Sequence, residues 1–330
     1  MRAAVLTAFN SPLQISEVPD PTPGPGEVLI QVMASGVNPL DTKIRRGEAA
    51  HANTAPPAIL GIDTAGVVLG VGAEVNRFQI GDEVFGMTGG VGGQQGSLAE
   101  MTAVDARLLA HKPRALSMEQ AAAIPLGFVT SWEGLVDRAR VRAGQRVLIH
   151  GGAGGVGFLA VQLAIARGAE VFATGSPSSQ EAIRRAGATP IDYTASTVDD
   201  YVEKYTRGVG FDIVVDNIGG STLDASFTAV KRYTGHVVSA LGWGTHSLAP
   251  LSFRGATYSG VFTLMPLLTG DHRDHHGDIV AQAAALADRG QLFPRLHSTT
   301  FTLDNINDAY HLVETGTATG KVVVLPTTVS

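Results

Sequence analysis

HGGAGGVGFLAVQLAIARG, residues 150–168, places five glycines among the seven positions from Gly151 to Gly157. An apolar run, Val147 to Ile149, leads in, and a long apolar segment leads out. Glycine in such number costs backbone entropy on folding, so it marks a place where side chains are excluded. The pattern predicts a strand, a tight turn and a helix. Gly152, Gly154 and Gly157 satisfy G-x-G-x-x-G, and Gly151, Gly154 and Gly157 satisfy G-x-x-G-x-x-G. Either spacing lets the chain turn tightly and lets a pyrophosphate approach the main chain. Open N–H groups and the positive end of the helix then receive the anion. Set between a strand and a helix, the motif points to a dinucleotide rather than to a purely structural turn.

The same rhythm continues on the C-terminal side. EVFATG (170–175) is a predicted strand, SSQEAIRRAGA (178–188) a helix, Thr189 to Asp192 a strand and Val198 to Arg207 a helix. FDIVVDNIGG (211–220) reads as strand and turn, Thr222 to Ala229 as a helix and GHVVSALG (235–242) as a further strand. Strands separated by helices predict an α/β, doubly wound parallel sheet over residues 123–264. Residues 1–122 read differently, with short β runs, glycine punctuation and little helical periodicity before Ser117, as in a largely antiparallel β unit. After about residue 265, Asp278 to Arg289 and Leu303 to Glu314 are predicted helices. GKVVVLP (320–326) is a final strand expected to return to the first unit.

With 330 residues, two domains are the expectation. The formal net charge of −6 gives no electrostatic case for nucleic acid. There is no cysteine, which excludes disulfides, thiolate nucleophiles and Cys-ligated zinc. The opening MRAAVLTAFN lacks a charged stretch followed by an apolar block, so no signal peptide is expected. Val147 to Ala166 carries no Asp, Glu, Lys or Arg, but its glycine cluster argues for strand, turn and helix over a bilayer span. A cytoplasmic protein without membrane or nucleic-acid partners is expected.

The end of the second strand selects the nucleotide. NAD sites usually place an Asp or Glu there, on the ribose 2′-hydroxyl. Here Ala173 to Ser176 contain none, and the first acid is Glu181. Ser176 can donate to a phosphate, and Arg184 or Arg185 can neutralise it, so NADP(H) is expected over NAD(H).

GEVLIQV, SGVNPLDTKIRRG, LGIDTAGVVLGVG, FQIGDEVFG, AAAIPLGFVTSWEGL, GQRVLIHGGAGGVG and TGKVVVL occur in this order over nearly the whole chain. Together they resemble the medium-chain dehydrogenase/reductase superfamily, in its zinc-free quinone oxidoreductase branch. The resemblance implies a GroES-like catalytic domain from residues 1–122 and 265–330, a Rossmann domain from 123–264, an active site in the cleft and a homodimer. It also implies where zinc sits in the alcohol dehydrogenase relatives. This chain has Asn38 in place of their Cys, Ile62-Asp63 in place of their His-Glu pair, and Gly127 near their third ligand. No metal is therefore expected. Without one, the accessible chemistry is reduction of an already electrophilic acceptor, a quinone or an α,β-unsaturated carbonyl, with charge collecting on oxygen.

By resemblance, Asn38 faces the nicotinamide, its amide able to donate to a substrate oxygen. Lys43, in NPLDTKIRRG, stabilises enolate charge, and Asp41 pairs with Lys43 or Arg45 to orient it. A tyrosine common in this branch is absent from GEAAHANTAPP, which leaves the proton source unassigned, with His51 as a mobile loop histidine. Cofactor contacts are expected from Thr130, Gly151, Gly154, Gly155, Val156, Gly157, Ser176, Arg184, Tyr193, Asn217, Leu241, Phe262 and, at the nicotinamide ribose, Lys321. Ser179 stands where the family often has a lysine. DHRDHHGD (271–278) reads as a solvated loop. Enoyl-thioester reduction, metal-free alcohol dehydrogenation and a non-enzymatic, nucleotide-bound crystallin-like or RNA-binding role remain as alternatives.

Overall fold

The computed structural model describes residues 1–327, which form two compact units: residues 1–126 with 264–327, and residues 127–263. The first unit opens with β1 (Arg2–Leu6), β2 (Gln14–Glu17), β3 (Glu27–Gly36), helix α1 (Pro39–Arg45), β4 (Ala58–Ile59), β5 (Asp63–Val71), β6 (Glu83–Met87), β7 (Met101–Asp105), β8 (Leu109–His111) and α2 (Met118–Ala122). Helix α3 (Pro125–Trp132) follows. The second unit alternates β9 (Arg146–Ile149), α4 (Gly155–Ala166), β10 (Glu170–Gly175), α5 (Gln180–Arg185), β11 (Thr189–Asp192), α6 (Val198–Thr206), β12 (Ile213–Asp216), α7 (Ser221–Ala229), β13 (His236–Ser239), α8 (Ala249–Ser252) and β14 (Thr257–Gly260). The first unit resumes with α9 (Met265–Thr269), α10 (Arg273–Asp288), β15 (Phe301–Thr302), α11 (Ile306–Glu314) and β16 (Val323–Leu325).

The large sheet of the first unit runs β15-β16-β3-β5-β6-β8, with β7 also on β3, and all pairs but β15–β16 are antiparallel. Val28, Ile30, Val68, Val84, Val104 and Leu109 form one apolar cluster of this unit. Burial along β3 alternates with period two until its last three residues, Ala34, Ser35 and Gly36, which are all buried. Helix α2 is the reason. A Cβ on Gly36 would stand 2.3 Å from the Ala122 carbonyl oxygen and 2.9 Å from Lys321 Cε. As expected, the final strand returns to this unit, pairing Val323 with Gly36 and Val324 with Ser35.

Two segments differ from the sequence reading. Helix α1 was not legible because seven residues are too few for an apolar stripe to repeat. It starts at Asn38, in extended conformation, with Pro39 pre-set for the first turn. The predicted loop 271–278 is instead mostly helix, since α10 begins at Arg273. Gly277 is there for close approach, not as a breaker: a Cβ would lie 2.2 Å from the Arg107 carbonyl oxygen. His276 is buried, and Arg273 fixes the helix start through Asp105 Oδ2 at 2.8 Å.

The second unit is the expected doubly wound sheet, all parallel, in the order β11-β10-β9-β12-β13-β14. Counted within the unit this is 3-2-1-4-5-6, so the order reverses at β9, where ligands bind in such sheets. Helix α4 is buried continuously from Gly157 to Ala164, which explains its lack of charge. Among the described residues no helix is long and apolar enough to cross a membrane. Phe172 and Phe211 meet edge-on at 5.5 Å within a core that includes Leu148, Val214 and Phe227. Truncating fully buried Phe211 to Ala is expected to cost about 3–5 kcal/mol.

Candidate active site

In the first unit three polar side chains converge from distant parts of the chain. Asn38 caps α1, Asp63 opens β5, and Lys321 precedes β16. Asn38 and Asp63 are almost wholly enclosed, and the Lys321 side chain is 10% exposed. Asp63 Oδ2 accepts from Lys321 Nζ at 2.9 Å and from Asn38 Nδ2 at 3.0 Å. Asp63 Oδ1 accepts from the Leu126 N–H at 2.7 Å. Lys321 Nζ also donates to Asn38 Oδ1. The second N–H of the Asn38 amide reaches the Gly36 carbonyl at 3.3 Å. The amide expected to donate to substrate is therefore engaged at both ends by protein. Its role here is to hold the Lys321 ammonium.

Asp41 is buried beside this cluster. One oxygen, Oδ2, accepts the Asn38 backbone N–H at 2.8 Å, and Oδ1 has no hydrogen-bond partner among the described residues. Burial pushes its carboxyl up to about 7, with Asp63 adding to the rise and Asn38 and Lys321 opposing it. On α11, the Tyr310 hydroxyl is also buried without a partner among the described residues, and burial and the Asp41 charge hold it well above the usual phenol value. The expected pairing of Asp41 with Lys43 or Arg45 is not formed. Arg45 instead binds Glu314 at 2.6 Å, and Lys43 projects from the exposed side of α1. The reason is helical phase: Asp41 is on the buried side of α1, two residues and about 200° from exposed Lys43. His51, in the turn Ala50–Ala52, is lowered by partial burial and by the Lys43 ammonium.

In the second unit the glycine turn lies between β9 and α4. Gly151 takes φ +72°, a conformation open to glycine. A Cβ on Gly157 would stand 2.1 Å from the Gly151 carbonyl oxygen, and one on Gly152 2.4 Å from Ala173 Cβ. Gly157 closes the turn onto itself, and Gly152 lets it pack against β10. Gly154 and Gly155 are exposed, and a Cβ on Gly155 meets nothing within 4 Å. The N–H groups of Gly155, Val156 and Gly157 open the twelve-residue helix α4 and have no carbonyl one turn back. Such a cradle fits a diphosphate.

Side chains brace the turn, and of these the sequence singles out Asn217, as a cofactor contact, but not Thr174, His150 or Asp216. Thr174 Oγ1 takes the Gly151 N–H at 3.3 Å and meets His150 Nδ1 at 3.2 Å. Burial lowers His150 to about 4, against the pull of Asp216, so the imidazole is neutral. Asn217 Nδ2 donates to the His150 carbonyl at 3.1 Å. Asp216 holds the next turn through the Gly219 N–H at 3.0 Å and Ser239 Oγ at 2.7 Å. Of the three not singled out, His150 lies next to the first glycine, which is a signal the sequence offered.

Beyond β10, Ser176 Oγ lies 3.0 Å from both Ser178 Oγ and Ser179 Oγ. Arg184 is exposed on α5, 3.3 Å from Glu181, and Tyr193 is exposed after β11. Phe262 meets exposed Trp243 edge-on at 6.0 Å, and Leu241 follows β13, its N–H donating to Ser239 Oγ. Thr130 is buried on α3.

The donor set in the first unit does not fit zinc. The Asn38 and Asp63 oxygens already hold a cation, Lys321, and the position near the third ligand is Gly127, which has no side chain. Among the described residues no three His, Cys, Asp or Glu side chains stand together to hold a metal.

Residues 24–114 match the family model described as alcohol dehydrogenase GroES-like domain, and residues 186–324 the one described as zinc-binding dehydrogenase. The chain is 35% identical over 310 residues to 2-methylene-furan-3-one reductase of Solanum lycopersicum, covering 91% of this chain and 72% of that protein. It is 36% identical over 308 residues to the chloroplastic NADPH-dependent alkenal/one oxidoreductase of Arabidopsis thaliana, with the same coverage of 91% and 72%. The crystal structure of an alcohol dehydrogenase superfamily protein from Novosphingobium aromaticivorans superposes with a TM-score of 0.97 at 55% identity, over 99% of this chain and 100% of that one. The chain thus belongs to the medium-chain dehydrogenase/reductase superfamily, in its quinone oxidoreductase-like branch of nicotinamide-dependent enzymes.

Proposed function

We propose that the protein is a metal-independent, NADPH-dependent reductase of quinones or α,β-unsaturated carbonyls. The observation that carries this reading is the turn from Gly151 to Gly157. It closes on itself at Gly157 and packs on β10 at Gly152, yet leaves Gly155 and the start of α4 open at the point where the sheet order reverses. When bound, the reduced nicotinamide supplies the hydride that adds to the acceptor carbon. The residues of this chain hold the diphosphate, position the acceptor and stabilise charge on its oxygen. The names of the tomato and Arabidopsis relatives support an enone-type acceptor.

Preference for NADPH is supported by the acid-free end of β10, the Ser176–Ser179 hydroxyls and the exposed side chains of Arg184, Arg185 and Tyr193. Of the segment NPLDTK, Asn38 and Asp41 shape the enclosed side, and Lys43, exposed on α1, meets the acceptor carbonyl. The unit of residues 1–126 and 264–327 acts as the catalytic domain and that of 127–263 as the nucleotide domain. Strand β14 is an edge of the parallel sheet, with no further strand paired to it among the described residues, and is the proposed seam of a homodimer. Light scattering should then give about twice 34.3 kDa.

The test is NADPH oxidation against a panel of quinones, enones and alcohols, with and without chelator. Turnover of enones or quinones, unaffected by chelator and at least about tenfold slower in Lys43→Ala, is the expected result. Binding of neither pyridine nucleotide would refute the proposal, and chelator-sensitive turnover would refute its metal-free part.

A further inference from the structure

One donor in the Asn38–Asp63–Lys321 cluster is uncommitted among the described residues. The Asn38 amide gives one N–H to Asp63 Oδ2 and the other to the Gly36 carbonyl. Asp63 is an acceptor only. Lys321 has three N–H groups and, among the described residues, two acceptors, Asn38 Oδ1 and Asp63 Oδ2. The remaining donor therefore belongs to a cation whose other two bonds fix its position. Its backbone is clamped as well: Lys321 N–H donates to the Arg295 carbonyl at 2.7 Å, and its carbonyl accepts from His297 N–H at 2.9 Å. Gly36 is bare where Lys321 Cε passes, which admits the side chain. Lys43, by contrast, has no described partner that fixes its ammonium.

We infer that Lys321 is a catalytic residue: its third N–H donates to the oxygen on which charge develops during reduction. This rests on the proposed reductase function. As the new C–H bond forms at the carbon β to the carbonyl, the alkene pair shifts toward the carbonyl carbon and the carbonyl π pair moves onto oxygen. Lys321 holds that oxyanion by a hydrogen bond and keeps its proton. A proton from water then closes the α-carbon. A fixed cation in a largely enclosed site needs no reorganisation as the charge appears, which is where such groups contribute most. Asp63 and Asn38 are positioning residues, since they aim the ammonium without touching substrate.

The test uses Lys321→Met and Lys321→Arg in the full chain, with thermal melts as a check on folding. Lys321→Met should lower kcat for an enone about 100-fold or more, with the Kd for NADPH within about twofold of wild type, and Lys321→Arg should recover part of the loss. A readout independent of turnover is 4-nitrophenol added with NADP⁺. Wild type should bind it as the phenolate, visible by its absorbance, and Lys321→Met should not. If Lys321→Met folds and keeps its enone kcat, or loses only NADPH affinity, Lys321 is a ribose contact and the inference is wrong. If Lys321→Met does not fold, the wild-type and Lys321→Arg spectra decide: nitrophenol bound neutral in both overturns it. A wild-type protein inactive on every acceptor and binding no nucleotide overturns the functional reading as well.

Discussion

Asp41 shows what enclosure does to a single side chain. One oxygen caps α1 and the other is buried without a partner among the described residues, so burial favours the neutral acid and moves the group up to about 7. A carboxyl whose folded value lies above its unfolded one stabilises the fold most in acid. That contribution shrinks as pH rises from about 4 through about 7. Asp41→Asn removes the titration while keeping an acceptor for the Asn38 N–H. The variant should therefore gain on wild type, by on the order of 2–4 kcal/mol, between pH 5 and pH 8. Parallel Tm curves for the two proteins over that range would show that Asp41 is ionised throughout. Above pH 7 the Lys321 ammonium also faces a second carboxylate, since Asp41, Asp63, Tyr310, Arg45 and Glu314 all border this region.

At the scale of an element, the turn into α4 separates glycines that the fold needs from one that a ligand needs. A methyl group on Gly157 runs into the Gly151 carbonyl, which is backbone and cannot step aside. Gly157→Ala should lower Tm and weaken NADPH binding together. A methyl group on Gly155 meets nothing within 4 Å, and the position opens a helix, where Ala is preferred to Gly. Gly155→Ala should leave Tm unchanged or raised while the Kd for NADPH rises about tenfold or more, read by fluorescence titration. Unchanged affinity in Gly155→Ala would mean that no diphosphate lies against α4.

For the whole molecule, two buried groups in different units set opposing pH slopes. His150 is held neutral, down to about 4, so it contributes stability above its unfolded value near 6.5 that is lost as pH falls through about 4. Asp41 does the reverse over much of the same range. If both units melt together, wild-type Tm should be nearly flat between pH 4.5 and 6.5. Asp41→Asn should then become more stable with rising pH, and His150→Asn less. If the units melt separately, calorimetry should resolve two transitions that move in opposite directions. The same slope in both single variants would contradict the assignment of these groups.

The second unit was legible because its information is local. A strand, its glycine turn and its helix are contiguous, and the uninterrupted apolar runs on either side of the glycines from Val147 to Ala166 mark burial and turn without reference to the rest of the chain. The largely antiparallel first unit and the return of the final strand were legible for the same reason. Helix α1 and the start of α10 were not, since one is too short to show a period and the other hides a packing glycine that reads as a break. The Asn38–Asp63–Lys321 cluster was decided by tertiary structure alone. Lys321 lies 283 residues from Asn38 and 258 from Asp63, and only the pairing of β16 with β3 brings its ammonium past Gly36 to both. Residue identity pointed Lys43 to the oxyanion and Lys321 to the ribose; that Lys321 is also a cation aimed by two fixed acceptors is a property of the folded chain.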